Sequence, residues 1–383
     1  MRRILIVQPS MQPPGGGNGV AAWMLQALAD RHEVTVLSWH RVDVAPINRF
    51  FGTSLLPDQF RSLVVPASWQ AVPNHLPVPV ALLKASVIMR YTRKIADGYD
   101  VIMGIHNETD YGRRGIQYVH YPTYLRPRPD ADLRWYHRSE AVLRAYYRVA
   151  DRVAGFSMER MKANLTLANS DWTAGRIQRS LGITSRTLYP PVADPAPSPP
   201  WPERVRGFLS IGRISPEKEY ERSMRILARV RQTHPDISFT IIGTTDRHGR
   251  RYYGHLRRLA AALGSWIQFR HDLSREEVRA LMAGHRYGIH GMREEHFGMA
   301  PAELVRAGVI VWVPNGGGQV EIVGGEGRLR YSTEDEAVEA ITNTLSDSAE
   351  EERLRAVLAE RARLFAVSRF VAETRDIVDG FSG

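Results

Sequence analysis

The residues best suited to chemistry surround the stretch EEHFGMAPAELVRAG, 294–308. Glu295 precedes a helix start and Glu303 falls about one turn into that helix, with Pro301 in its first turn and Gly308 closing it. A helix start presents free backbone N–H groups that attract anions. Two carboxylates there read either as solvated charge and capping or as a grip on groups attached to a bound anion. The amides of Phe297, Gly298 and Met299 would face such an anion, and carboxylates accept hydrogen bonds from sugar hydroxyls. A second candidate is GRISPEK, 212–218. Ser215 suits an N-cap and Pro216 the first helical position, which puts Arg213 at a strand end and Lys218 in the first helical turn. A cation there opposes the helix dipole unless an anion is present. Together the two cations could neutralise a diphosphate; taken alone they fit ordinary surface charge equally well.

The elements that must position these residues follow an α/β pattern. RILIVQP, EVTVLSW, YDVIMGI, RGIQYVHYP, RVAGFS and LTLANS read as strands of a first domain, with VAAWMLQALADR as its first helix. The segment 189–207 is dense in proline and cannot supply sheet donors. A second series follows, with strands GFLSIGRI, ISFTIIGT, WIQFRHD, YGIHGM and VIVWVPN between helical segments. The expected division is 1–193, a linker at 194–206, and 207–367, with a last helix at 368–383. Two doubly wound domains should face each other across a cleft, with ligands beyond the carboxyl ends of the strands.

Bulk properties narrow the classes. The chain has 383 residues, no cysteine and a formal net charge of +10. A disulfide framework and thiolate zinc sites are excluded, and a cytoplasmic setting is expected. No apolar stretch approaches the roughly 18 residues of a membrane span. The positive charge suits an anionic partner: nucleotide phosphates, a membrane face or nucleic acid. Nucleic acid has no recognised module behind it and is not expected. The segment 78–95, apolar but carrying Lys84, Arg90, Arg93 and Lys94, could pack in the core or lie on the inner face of the cytoplasmic membrane; core packing is favoured. The basic stretch 247–260 reads as solvated surface.

The glycine-rich PPGGGNG follows the first strand, but its spacing is not that of a dinucleotide fingerprint and no acid ends the second strand. NAD and FAD are therefore rejected. Asp130 and Asp132 form an Asp-x-Asp in a proline–arginine loop, a weak pointer to a metal; no metal is expected.

In combination these motifs resemble the retaining glycosyltransferases of the GT-B fold, family 4, also called glycosyl transferases group 1. The Gly-Arg…Lys block at 212–218, the Glu-His-Phe-Gly…Glu block at 295–303 and NGGGQVEIV at 315–323 stand in that family's order and spacing. GGGNGVAAW, YVHYPTY and LANSDWTAGRI…LYPPV look most like the eukaryotic-type mannosyltransferases that extend a lipid-linked oligosaccharide. The resemblance implies a hexose, with mannose favoured, moved from a GDP- or UDP-linked donor to a glycan, lipid-linked or other hydroxyl acceptor. It implies that Arg213 and Lys218 bind the diphosphate with the amides of Phe297, Gly298 and Met299. Glu295 would hold the donor hexose and Glu303 the ribose, with His296, Asn315 and Gly316 around the sugar and Arg270 near the base. His120 would approach the donor sugar, and Gly16 and Gly17 would let the first helix approach diphosphate or acceptor. The acceptor would attack on the leaving-group face, so Glu295 is not cast as a nucleophile. The competing expectation is a GT-B protein that binds a sugar nucleotide or partner without catalysis.

Overall fold

A computed structural model of the chain describes residues 1–382 except 13–14, 76–80, 123–139 and 246–248. Asp130 and Asp132 therefore lie outside the described residues, as does the start of the segment 78–95. The chain divides into two compact units, Met1–Pro191 with Phe370–Gly383, and Val192–Arg369.

Among its described residues the first unit holds seven parallel strands: β1 (Arg3–Val7), β2 (Glu33–Ser38), β3 (Arg61–Val64), β4 (Val101–Gly104), β5 (Ile116–Val119), β6 (Leu165–Ala168) and β7 (Arg186–Thr187). Their order is β3-β2-β1-β4-β5-β6-β7. Ile4 to Val7 are buried without alternation, as expected of a parallel strand covered on both faces. The helix Ala81–Ile95 spends its apolar side in this core. Its Val87 and Ile88 pack with Leu5, Leu37 and Ile102, and Lys84 lies over the Trp39 ring. Core packing is thus what the structure gives the described part of the segment 78–95.

RVAGFS is not a strand. Arg152 to Ala154 end the helix Glu140–Ala154, and Gly155 at φ 59° turns the chain out of it. Tyr147, Ala150 and Ala154 are the buried positions, a helical spacing that the short apolar run conceals.

Among its described residues the second unit has six parallel strands: β8 (Val205–Ile211), β9 (Ser238–Ile242), β10 (Ile267–Arg270), β11 (His285–Ile289), β12 (Ile310–Pro314) and β13 (Arg330–Tyr331). Their order is β10-β9-β8-β11-β12-β13, so the winding reverses between β8 and β11. Phe208, Tyr287 and Trp312, all fully buried, pack against one another with tilted rings beside that reversal. The proline-rich segment is pinned to this unit. Val192 N donates to Phe365 O at 2.8 Å, and Arg204, Arg286 and Arg355 pack on the Trp201 ring.

Candidate functional site

In an open parallel sheet the ligand crevice opens beyond the strand ends where the winding reverses. In the second unit that point is served by the loops after β8 and β11, which are the two motif loops. They touch through backbone: a Cβ on Gly291 would stand 2.5 Å from Lys218 O and 2.6 Å from Glu219 O.

Lys218 is not in the first turn of an α-helix, as its sequence suggests. Pro216–Lys218 form a separate 3-10 turn, and Glu219 at φ 46° breaks it from the helix Tyr220–Val230. Ser215 does not cap an amide, because its hydroxyl donates to Glu217 at 2.6 Å. Glu217 also accepts from Arg213 at 3.1 Å, and Arg213 stays 62% exposed. The turn aims Lys218 inward instead.

Lys218 Nζ lies 2.5 Å from Glu295 Oε2, with both side chains 18% exposed. His290, the first residue after β11, brings Nε2 to 3.3 Å from the same oxygen. Burial pushes the Glu295 carboxyl up, but His290 and Lys218 outweigh it and hold the group far below the usual carboxylate range. Burial pushes the His290 imidazole down, so it is neutral at neutral pH.

The helix Met299–Arg306 starts directly behind Glu295, with Gly298 at φ 109° as its N-cap. No side chain caps it, and Ala302 N is the first amide bonded back, to Gly298 O at 3.0 Å. The amides of Met299 and Ala300 precede the intrahelical ladder, as helix geometry requires. Phe297 is buried edge-on against Phe365, and His296 is half-buried. Glu303 meets Arg275, from the helix Arg275–Gly284. Burial weakens the Arg275 charge, and Glu303 more than restores it.

A third loop, after β12, closes on the second. Gly318 N donates to Glu295 O at 2.8 Å, and buried Gln319 donates to Met292 O at 2.7 Å and Gly316 O at 2.9 Å. Gly317 sits at φ 79°, and a Cβ there would stand 2.2 Å from Glu295 O. Gly317→Ala should therefore cost about 2 kcal/mol or more from backbone conformation and the clash, read as a lower urea midpoint with unchanged slope. Asn315 points its side chain to Ser332 and Arg330, at 3.4 and 3.3 Å. Arg270 ends β10 with its side chain exposed.

Three residues that the sequence motifs did not single out contact the site: His290 after β11, Gln319 after β12, and Arg275 at the start of its helix beyond β10. A strand-end position was the one available signal for His290.

In the first unit, β1 leads into the helix Gly16–Ala29. A Cβ on Gly17 would stand 3.2 Å from His120 Nε2, so the histidine lies over this helix start beside Gly16. Asn107 accepts from His120 N at 2.9 Å and Asn169 donates to His120 O at 2.9 Å, which fixes the residue from both sides. Among the described residues no group of three or more His, Asp or Glu is placed to hold a metal ion. Among them, also, no helix is long and apolar enough to cross a membrane.

Two Rossmann-like parallel sheets, the second carrying a cation–carboxylate cluster at its switch point, define the GT-B class of glycosyltransferase fold. Solved structures agree on the fold. HepE of Anabaena, in complex with UDP-glucose, superposes with a TM-score of 0.68 at 18% identity, covering 100% of both chains. WaaG, a glycosyltransferase involved in lipopolysaccharide biosynthesis, gives 0.66 at 14% identity over 99% of this chain and 100% of that one.

Residues 196–365, nearly the whole of the second unit, match the model of the family described as glycosyl transferases group 1. The chain is similar to the human GDP-Man:Man(3)GlcNAc(2)-PP-Dol alpha-1,2-mannosyltransferase, 29% identical over 229 residues, 54% of this chain and 46% of that one. The enzyme of the same name from Dictyostelium discoideum is 25% identical over 256 residues, 62% of this chain and 48% of that one. The chain thus spans about half the length of the curated relatives it matches.

Proposed function

We propose that the protein is a retaining, metal-independent hexosyltransferase that moves mannose from GDP-mannose to a lipid-linked glycan. The observation that carries this reading is the Lys218–Glu295–His290 cluster beside an uncapped helix start at the switch point of a group 1 glycosyltransferase domain. Breaking a sugar–phosphate bond puts negative charge on the leaving diphosphate. Arg213, Lys218 and the amides of Phe297 to Met299 supply fixed positive charge and dipoles for it. They take the part a divalent cation takes elsewhere, which supports metal independence. Glu295 holds the hexose hydroxyls, Glu303 with Arg275 the ribose, and Arg270 borders the base. His296, Asn315 and Gly316 border the sugar pocket. A carboxylate held so far below its usual range is a poor proton acceptor at neutral pH, so Glu295 orients rather than takes a proton. The leaving phosphate accepts the acceptor's proton on the same face, which retains configuration. For the first unit the same reading assigns His120 to the donor sugar and Gly16 and Gly17 to the diphosphate or acceptor. The names of the curated relatives favour GDP-mannose and a lipid-linked acceptor, and an acceptor of that kind would hold the protein peripherally at the inner face of the cytoplasmic membrane.

A thermal-shift screen of GDP-, UDP- and ADP-sugars tests the donor, since a ligand that binds only the folded state raises apparent stability. GDP-mannose is expected to give the largest shift. Transfer to a mannosylated lipid-diphosphate acceptor should yield the α-anomer by NMR, at a rate unchanged by EDTA. Binding without transfer to any such acceptor would favour the non-catalytic alternative.

A further inference from the structure

We infer that His290 is a positioning residue of the donor site: with Lys218 it fixes Glu295 Oε2 and leaves Oε1 as the acceptor presented to the donor's hexose. The inference rests on the proposed donor site and adds to it the orientation of its carboxylate.

Both contacts converge on one oxygen, Lys218 Nζ at 2.5 Å and His290 Nε2 at 3.3 Å. Among the described residues no other side chain pairs with Glu295. His290 itself cannot follow a moving carboxylate. Its N donates to Trp312 O at 2.9 Å, and its O accepts from Tyr331 Oη at 2.5 Å. Trp312 and Tyr331 are core residues, and the imidazole is buried among them. Its Nε2 forms no well-aligned hydrogen bond, and Glu295 Oε2 is the acceptor it faces.

A lysine ammonium is a mobile point charge that attracts either carboxylate oxygen equally. Lys218 alone would let Glu295 rotate and share both oxygens with it. A fixed imidazole whose Nε2 stands 3.3 Å from Oε2 biases the carboxylate toward that oxygen and reserves Oε1 for hydroxyl donors. This resembles the way outer-sphere hydrogen bonds orient the ligands of a metal site. The diphosphate and nucleoside contacts assigned above do not involve His290. Its loss should therefore be felt by the sugar and not by the nucleotide.

The experiment compares binding of GDP and of GDP-mannose, by calorimetry, to the wild type, His290→Phe and His290→Gln, with kcat for transfer in parallel. His290→Phe should bind GDP as the wild type does while losing affinity for GDP-mannose and kcat about tenfold to a hundredfold. Glutamine reaches to where Nε2 stands and keeps an N–H there, so His290→Gln should recover most of the loss. Equal discrimination between GDP and GDP-mannose in wild type and His290→Phe would overturn the inference alone. So would parallel loss of both ligands in both variants, which would mark a purely structural histidine. A wild type that binds no sugar nucleotide would overturn the donor site itself.

Discussion

Lys218→Ala should lower hexosyl transfer by about two to three orders of magnitude, the usual loss when one preorganised group facing developing charge is removed. Two effects act together. The leaving diphosphate loses a cation. Glu295, 18% exposed, also loses the partner that stabilises its charge. Burial is the largest influence on that carboxyl, and only His290 and Lys218 hold it down. Without Lys218 its pKa rises, so the acid limb of the transfer–pH profile should move to higher pH in the variant. The sign for stability follows from the same depression. In the wild type the cluster's contribution is complete above the unfolded carboxyl value of about 4.3 and is lost as pH falls below it. Removing one partner of so buried a pair should also cost about 3 kcal/mol in urea unfolding at neutral pH. Lys218→Ala with Glu295→Ala together should cost less than the sum of the singles, because they share one interaction. A Lys218→Ala enzyme with near wild-type kcat would remove the cluster from the proposed chemistry.

The cluster was only half visible in the sequence. Lys218 and Glu295 are both suggested by their types beside glycine and proline, but their contact is not. It depends on Glu219 taking a left-handed conformation, which turns a presumed first helical turn into a 3-10 turn. Nothing in PEKEYER marks that break, because glutamate rarely adopts positive φ. The break sits where the loop after β11 packs Gly291 against the carbonyls of Lys218 and Glu219, a contact that sequence does not display. His290 was hidden for a related reason. A lone histidine in an apolar run says nothing until the strand order places it opposite a lysine 72 positions away in the chain, from 218 to 290.

The strands were more legible where they are central. Ile4–Val7 of β1, β4 and β12 are buried without alternation and write themselves as unbroken apolar runs. The edge strands β3, β7 and β13 are short and partly polar, and no pattern marks them. RVAGFS failed for the converse reason: six residues are too few to separate period 2 from period 3.6. The motif loops could be anticipated because glycine and proline punctuate strand ends. Side-chain pairing across loops could not.

That limit also sets the last prediction, at a residue no motif announced. Asp110 is fully buried in the first unit, and replacing it by alanine should destabilise that unit by about 3 kcal/mol, within the range for breaking a buried ion pair. Its carboxylate accepts from Gly112 N and Ser157 N, each at 2.8 Å, and from Arg160 through Nε at 3.1 Å and Nη2 at 2.8 Å. It thereby ties the end of β4's following loop to the helix cap at Ser157. Alanine would leave the Gly112 and Ser157 amides without their acceptor and would release Arg160, 44% exposed, and the looser contact to Arg93 at 3.8 Å. Asp110→Asn should recover part of it, because the amide oxygen still accepts one backbone bond. Burial raises this carboxyl, but Arg160 and the two amides lower it further. The stabilisation is thus present above the unfolded aspartate value of about 3.9 and is lost as pH falls through the lower folded value. Wild type and Asp110→Ala should therefore differ most near neutrality and converge in strong acid. A gap between their urea midpoints that stays constant from pH 7 to pH 2 would show that the carboxylate's charge plays no part in holding this corner.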